Sequence, residues 1–209
     1  MYRFYSFFIL ILALTACQNN PTPTTVSETF PATDSIPTPT LTAWETFFID
    51  HPDYRSDGFD YPVGKPDAKG YYNAQPYGEN LHLGDDWNAT TGGNSDLGHP
   101  IYSIANGYVR LAENLSGGWG KVVRVVHQLN DSTYVESLYA HCDSMLVVEG
   151  DAVLRGQQIA TIGNADGAYY AHLHFEMRDS MELGVGGGYG DDEAGYLNPT
   201  PFIQNNRPK

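Results

Sequence analysis

The sequence predicts a mainly β, mostly antiparallel domain behind a polar N-terminal extension, and three observations lead there. From residue 100 onward, short runs rich in Val, Ile, Tyr and Thr are separated by clusters of Gly, Asn, Asp and Ser, the punctuation of strands joined by turns. Side chains alternate within "TYVESLYA", where Tyr134, Glu136 and Leu138 oppose Val135, Ser137 and Tyr139, although neither face is purely apolar. No long amphipathic helix competes with this pattern. At 209 residues the chain has room for one ordinary domain with extensions.

The opening stretch, "MYRFYSFFILILALTAC", joins Arg3 to an apolar run from Phe7 to Leu14. That run is too short to span a bilayer comfortably and has the shape of a secretory signal, expected over residues 1–16. Its end, Leu14-Thr15-Ala16-Cys17, resembles the bacterial lipobox, which implies cleavage before Cys17, lipidation of that cysteine and anchoring to a membrane outside the cytoplasm. Gln18 does not resemble the inner-membrane retention signal, so an outer membrane is expected where the cell has one. Residues 17–42 are rich in Pro, Thr and Ser, the composition of an extended, solvated tether.

An N-terminal approach segment, residues 43–77, opens with the short helix predicted at "AWETFFID"; its Tyr, Gly and Pro content assigns nothing further. Strands are then predicted at "PIYSI", "GYVRLA", "KVVRVVHQ", "TYVESLYA", "SMLVV", "QQIATIG" and "AHLHFEMR". The tail "GGGYGDDEAGYLNPTPFIQNNRPK" predicts a flexible glycine loop, then an extended segment packing back through Leu197 and Phe202, with residues 204–209 as a terminal tail.

A formal charge of −14 excludes the electrostatic footprint of non-specific nucleic-acid binding. With Cys17 lipidated, Cys142 is left without a disulfide partner, so the core or a metal must supply stability. His141 is adjacent to Cys142, but neighbours on a strand face opposite sides, which favours a small buried thiol over a Cys–His nucleophile.

The histidines carry the chemistry. In "ENLHLGDDWN", His82 precedes Asp86 by four residues with Gly84 between them, and the surrounding residues argue for a loop or bent strand along which the two converge. In "AHLHFEMR", His172 and His174 would share one face of a strand, about 6–7 Å apart, which suits one metal ligand beside one acid–base group. A zinc site that does chemistry takes three His or carboxylate ligands and leaves a fourth position open. His82, Asp86 and one histidine of the pair meet that need. The other histidine, and His141 in "LYAHCD", are candidates for proton transfer. His51 reads as a loop residue, His99 as part of a turn, and His127 as a strand end with at most a supporting role at the site.

Taken in order, "HLGDD", "GHPIYSIANGYV", "GGWGKVVRVVH", "LYAHCD", "GDAVLRGQQIATIGN" and "AHLHFEMR" resemble the catalytic domain of the LytM/lysostaphin-type zinc metallopeptidases, the M23 family. The resemblance runs over about residues 78–178 and on through "NPTPFI", and it implies a domain over residues 78–203. The implied fold is the family's antiparallel β-sheet, a duplicated hybrid motif, with a groove across it and zinc on the floor. It implies that His82, Asp86 and His174 hold Zn2+, and that His141 and His172 are catalytic without binding it. Asp85 is out of register with the motif and is expected to be structural or solvated.

The implied activity is hydrolysis of peptide bonds in peptidoglycan, cross-links or stem peptides, by a lipid-anchored envelope enzyme. Peptidoglycan and a membrane are the implied partners, and no protein partner follows. The alternative within the same fold is a catalytically silent module that binds cell wall or activates another wall hydrolase. Such modules usually lack one or more ligands, all of which are present here. Cys142 stands where the family often has an aliphatic residue. The approach "FDYPVGKPDAKGYYNAQPYGEN" has no role fixed by the resemblance; an Asn or Asp from it over the metal would make the enzyme latent.

Overall fold

A computed structural model describes residues 40–130 and 133–208; the expected signal segment, Cys17 and nearly all of the tether lie outside them. The first element, α1 (Ala43–Asp50), is the predicted helix, begun by a capping box in which Thr42 and Glu45 satisfy each other's backbone amides. Aromatic side chains dock it: Phe48 is buried, Phe47 packs on Tyr108, and Trp44 meets Tyr134 edge-on at 4.7 Å.

Ten strands follow among the described residues: β1 (Tyr71–Gln75), β2 (Asp85–Ala89), β3 (Pro100–Tyr102), β4 (Gly107–Asn114), β5 (Lys121–Asn130), β6 (Thr133–Met145), β7 (Ala152–Val153), β8 (Gln158–Ile162), β9 (Leu173–Arg178) and β10 (Tyr196–Leu197). A short helix, α2 (Pro199–Asn205), comes after them. Every pairing is antiparallel, as predicted, and the main path across the sheet runs β1-β2-β9-β6-β5-β4-β7. β8 joins β3 to β6, and β10 lies against β9.

Period-2 alternation divides this sheet into two chemically different faces. Toward the core, Ala171, Leu173, Phe175 and Met177 pack with Val135 and Tyr139 of β6, Val123 and Val125 of β5, and Ile101 and Ile162. On the opposite face the alternate residues of the same runs are His172, His174, Glu176 and Arg178 from β9 and its lead-in, and Glu136, Leu138 and Ala140 from β6. The two faces follow from one local rule, and the second carries all the polar chemistry of "AHLHFEMR".

Two expectations are corrected. β6 does not end with "TYVESLYA" but continues to Met145, taking in the start of "SMLVV", through an irregularity in its register with β5. The tail is not wholly extended: α2 forms because Pro199 stands in the first turn, where a missing N–H breaks no helical bond, while Ile203 is buried; Leu197 and Phe202 do pack on the core. Apart from these, the stretch just before the glycine run is pinned by three arginines. Arg110 donates to the Met181 carbonyl, Arg124 to Leu183, and Arg178 to Gly184 and Val185.

Candidate metal centre

The stretch "ENLHLGDDWN" is bent, as its glycine suggested. Asn80 and Leu81 take left-handed φ of 52° and 67°, His82 bridges to Tyr189, and β2 begins at Asp85. Gly84 allows the chain to press against β9, where a Cβ would come within 2.6 Å of the Phe175 carbonyl oxygen and 3.1 Å of the His174 ring. Register then pairs Asp86 with His174 across β2 and β9. Asp85, one residue away, points elsewhere: it is buried and accepts from the Tyr77 amide and the Thr200 hydroxyl, a structural role.

The structure therefore brings His82, Asp86 and His174 together. His82 Nε2 lies 2.9 Å from His174 Nδ1 and 3.3 Å from Asp86 Oδ1, which is 3.0 Å from His174 Nδ1. Donor atoms around a tetrahedral ion with bonds near 2.1 Å stand roughly 3.4 Å apart, so this nitrogen–nitrogen–oxygen triangle, slightly tighter, has the chemistry and close to the size a zinc ion takes. The far nitrogens support it. His82 Nδ1 donates to the Gln75 carbonyl at 3.1 Å, and His174 Nε2 donates to Glu176 Oε1 at 3.0 Å. In the neutral ring each bond leaves the nitrogen that faces the triangle with a lone pair for a metal; in the protonated ring that nitrogen donates to Asp86 instead.

Burial by itself raises the Asp86 carboxyl, but hydrogen bonds from His174 and His82 outweigh it and hold the group well below the usual carboxylate range. His174 shows the converse. Burial disfavours its charge, yet Asp86 and Glu176 on its two nitrogens push it up to about 9.

Two more histidines face this triangle. His141 lies 4.8 Å from His172 and 5.7 Å from His174 between ring centroids. Its backbone has φ of 58°, a left-handed conformation that costs a non-glycine residue about 1 kcal/mol or more. His141 Nδ1 donates to the Trp119 carbonyl at 3.3 Å and His172 Nδ1 to the Tyr170 carbonyl at 2.8 Å. A carbonyl only accepts, so in each neutral ring Nε2 carries the lone pair, and His172 Nε2 is 3.8 Å from Asp86 Oδ2. Burial, with His172 and His174 nearby, pushes His141 down to about 3, leaving it neutral at pH 7.

The triangle opens into a cleft of about 470 Å³ walled by Trp119, His141, Tyr169, His172 and Tyr189. It continues past Gln75, Asp86 and His172 into a shallower groove of about 810 Å³ that adds Asn88, Asn94 and Asn164. The profile of Peptidase family M23 matches residues 81–185, a stretch that includes every one of these five histidine and aspartate side chains. The chain belongs to peptidase family M23.

Among curated proteins, Lipoprotein NlpD of Yersinia enterocolitica is 46% identical over 81 residues, 39% of this chain and 78% of that one. Murein hydrolase activator NlpD of Escherichia coli (strain K12) is 41% identical over 96 residues, 43% of this M23 chain but 24% of the activator, so the match spans about a quarter of that relative's length. Among solved structures, the catalytic domain of lysostaphin from Staphylococcus simulans aligns at 23% identity and a TM-score of 0.46, covering 70% of this chain and 89% of that one. Among the described residues of this M23 protein, no helix is long and apolar enough to cross a membrane.

The remaining candidates sit elsewhere. His127 has no part in the cleft: it is fully buried on the core side of β5, bonded to the Asn106 carbonyl and the Ser137 hydroxyl. His99 bonds Tyr71, and His51 packs on Phe47 beside α1. Cys142 is buried, with its thiol 3.6 Å from the Tyr139 carbonyl. In the approach segment, α1 packs on Tyr108 and Tyr134, while Ala74 and Gln75 of β1 line the groove. Sequence reasoning missed Trp119, Tyr189 and Glu176. Trp119 bonds the Gly186 carbonyl at 3.0 Å, and the Tyr189 hydroxyl bonds Gln75 at 2.9 Å, so the glycine run is strapped to both walls. Only Glu176 had a signal, the same alternation that pairs His172 with His174.

Proposed function

We propose that this M23 protein is a zinc-dependent endopeptidase that hydrolyses peptide bonds of peptidoglycan. In this reading His82, Asp86 and His174 hold the zinc, His141 and His172 are the catalytic histidines, and lipid on Cys17 anchors the chain to the cell envelope. The observation that carries it is the convergence of five side chains on one cleft, with three lone-pair atoms 2.9–3.3 Å apart. Zinc, when bound, supplies polarisation of a carbonyl and activation of water toward a pKa of about 7.

The rest falls to the side chains. His141 and His172 both turn Nε2 into the cleft, positions from which one ring accepts a proton from the attacking water and returns it to the leaving amine. A ring that has gained that proton donates to the oxygen on which negative charge develops. Trp119, Tyr169 and Tyr189 narrow the cleft around the reacting peptide.

A second reading, a module that activates another wall hydrolase without turnover of its own, is favoured by what the curated relatives are called: murein hydrolase activators NlpD and EnvC. Those names weigh toward activation, and the complete donor set weighs toward hydrolysis. One experiment separates them. The purified chain, in detergent and with zinc, is incubated with peptidoglycan, alone and with a second murein hydrolase. Hydrolysis predicts soluble fragments with new amino termini from the chain alone, loss of zinc and fragments in His174→Ala, and retained zinc without fragments in His141→Ala. No release by the chain alone, together with more release by the second hydrolase in the chain's presence than in its absence, would overturn the peptidase reading and establish the activator.

A further inference from the structure

A line of buried charge runs from His174 away from the cleft along the same face of the sheet. Glu176 Oε1 accepts from His174 Nε2 at 3.0 Å, and Glu176 Oε2 accepts from Arg178 Nε at 2.8 Å and from its Nη2. Both Glu176 and Arg178 are 0% exposed. Arg178 also donates to the carbonyls of Gly184 at 2.7 Å and Val185 at 2.8 Å. Over the next four residues the same backbone reaches the cleft: Gly186 accepts from Trp119, Gly188 accepts from the Leu83 amide, and Tyr189 stands against the His82 ring.

A buried ion pair is seldom more stabilising than apolar side chains of the same volume, so stability alone does not account for this one. Its geometry does. A carboxylate on the outer nitrogen of a metal-binding imidazole fixes the rotation of the ring and the tautomer that leaves the inner nitrogen free. A bidentate guanidinium fixes that carboxylate in turn, and its remaining donors are aimed at a loop.

We propose that Glu176 and Arg178 are positioning residues for the metal: Glu176 holds His174 with Nδ1 facing His82 and Asp86, and Arg178 holds Glu176 while tying it to the loop that walls the cleft. The proposal rests on the zinc reading above, but not on turnover. It is tested on the full chain in detergent by titrating zinc against a competing chelator and by recording the visible spectrum of the cobalt(II)-substituted protein.

Glu176→Ala should weaken zinc about 10- to 100-fold and shift the cobalt bands. Glu176→Gln, which keeps an acceptor oxygen, should weaken it several-fold, and Arg178→Lys, which loses the fork, should do likewise. Arg110→Met is the control: it removes bonds to Glu136 and the Met181 carbonyl without touching Glu176, and should leave zinc affinity within about twofold. Where Glu176→Ala fails to fold, Glu176→Gln and Arg178→Lys decide. Wild-type zinc affinity and cobalt spectrum in the folded variants would overturn the positioning role and leave the zinc peptidase reading standing. A wild-type chain that binds no zinc would overturn both.

Discussion

Under the zinc peptidase function proposed above, replacing Gly163 with alanine should disturb His141 and His172 while sparing the metal. Gly163 follows β8, bridges to His172 and accepts from the His172 amide at 3.2 Å. On its other side it lies directly on the backbone of His141. A Cβ there would sit 2.3 Å from the His141 carbonyl oxygen, 2.4 Å from the Asp143 nitrogen and 2.7 Å from the Cys142 carbonyl carbon. Gly163 is not among the left-handed glycines, so conformation permits alanine and space alone forbids it. Ordinary contact begins near 3.4 Å, so relieving the clash requires a backbone displacement of about 1 Å. A 1 Å misplacement of a catalytic group costs on the order of 100-fold in rate, and overpacking of this kind costs about 1–3 kcal/mol of stability. His82 and Asp86 lie on β2 and its lead-in, and His174, two residues beyond His172, is pinned by its pairing with Asp86 and its bond to Glu176, so the proposed metal should be kept. The assay compares kcat on peptidoglycan, zinc per chain, and Tm. A folded Gly163→Ala chain with wild-type kcat would refute the argument that this close approach sets the two rings.

Two further outcomes follow from groups outside the cleft. Burial pushes His127 down to about 4, opposed only by the Asn106 carbonyl. Its folded pKa is below the unfolded value of about 6.5, so its contribution is fully present above pH 6.5 and is lost as pH falls toward 4, up to about 3 kcal/mol. Urea unfolding of wild type and His127→Gln at pH 7 and pH 4.5 should show a flatter pH dependence in the variant; equal slopes would contradict it. Cys142 is buried and its thiol is pushed up to about 12, chiefly by burial, so in a Cys17→Ser chain a maleimide should label it only after unfolding. Prompt labelling of the native chain would show that the thiol is accessible.

The site was legible where its logic is local. Alternation in "AHLHFEMR" places His172 and His174 on one face, and Gly84 signals the bend that lets His82 and Asp86 meet. The pairing of Asp86 with His174 is a matter of strand order, which spacing does not reveal; the family resemblance supplied it. His127 could have been excluded by parity, because it shares the core-facing positions of Val123 and Val125. Other features had no local signal. Trp119 and Tyr189 arrive from loops far apart in sequence, and the left-handed backbone of His141 occurs at a residue type that gives no hint of it. The helix α2 was hidden by its own prolines, which disfavour a helix interior but are harmless in a first turn.

An acidic chain places three of its few cations, Arg110, Arg124 and Arg178, side by side on the face that carries the cleft, and the reason lies in the loop they hold. Residues 181–185 are not in a strand, so the sheet offers their carbonyls no ladder partner. These carbonyls are only partly buried, and a carbonyl answered by a charged donor is more firmly placed than one answered by water. Lysine could not do this, because its single ammonium cannot meet Glu176 and two successive carbonyls in fixed directions as the guanidinium of Arg178 does. The loop is thereby rooted on the sheet through charge. Its tip is shaped differently, by Gly186 and Gly188 at φ of 75° and 74°, conformations that turn Tyr189 back over His82. A rigid root with a glycine-shaped tip fixes the cleft wall without a strand, and it does so from the same guanidinium that reaches, through Glu176, the ring facing Asp86.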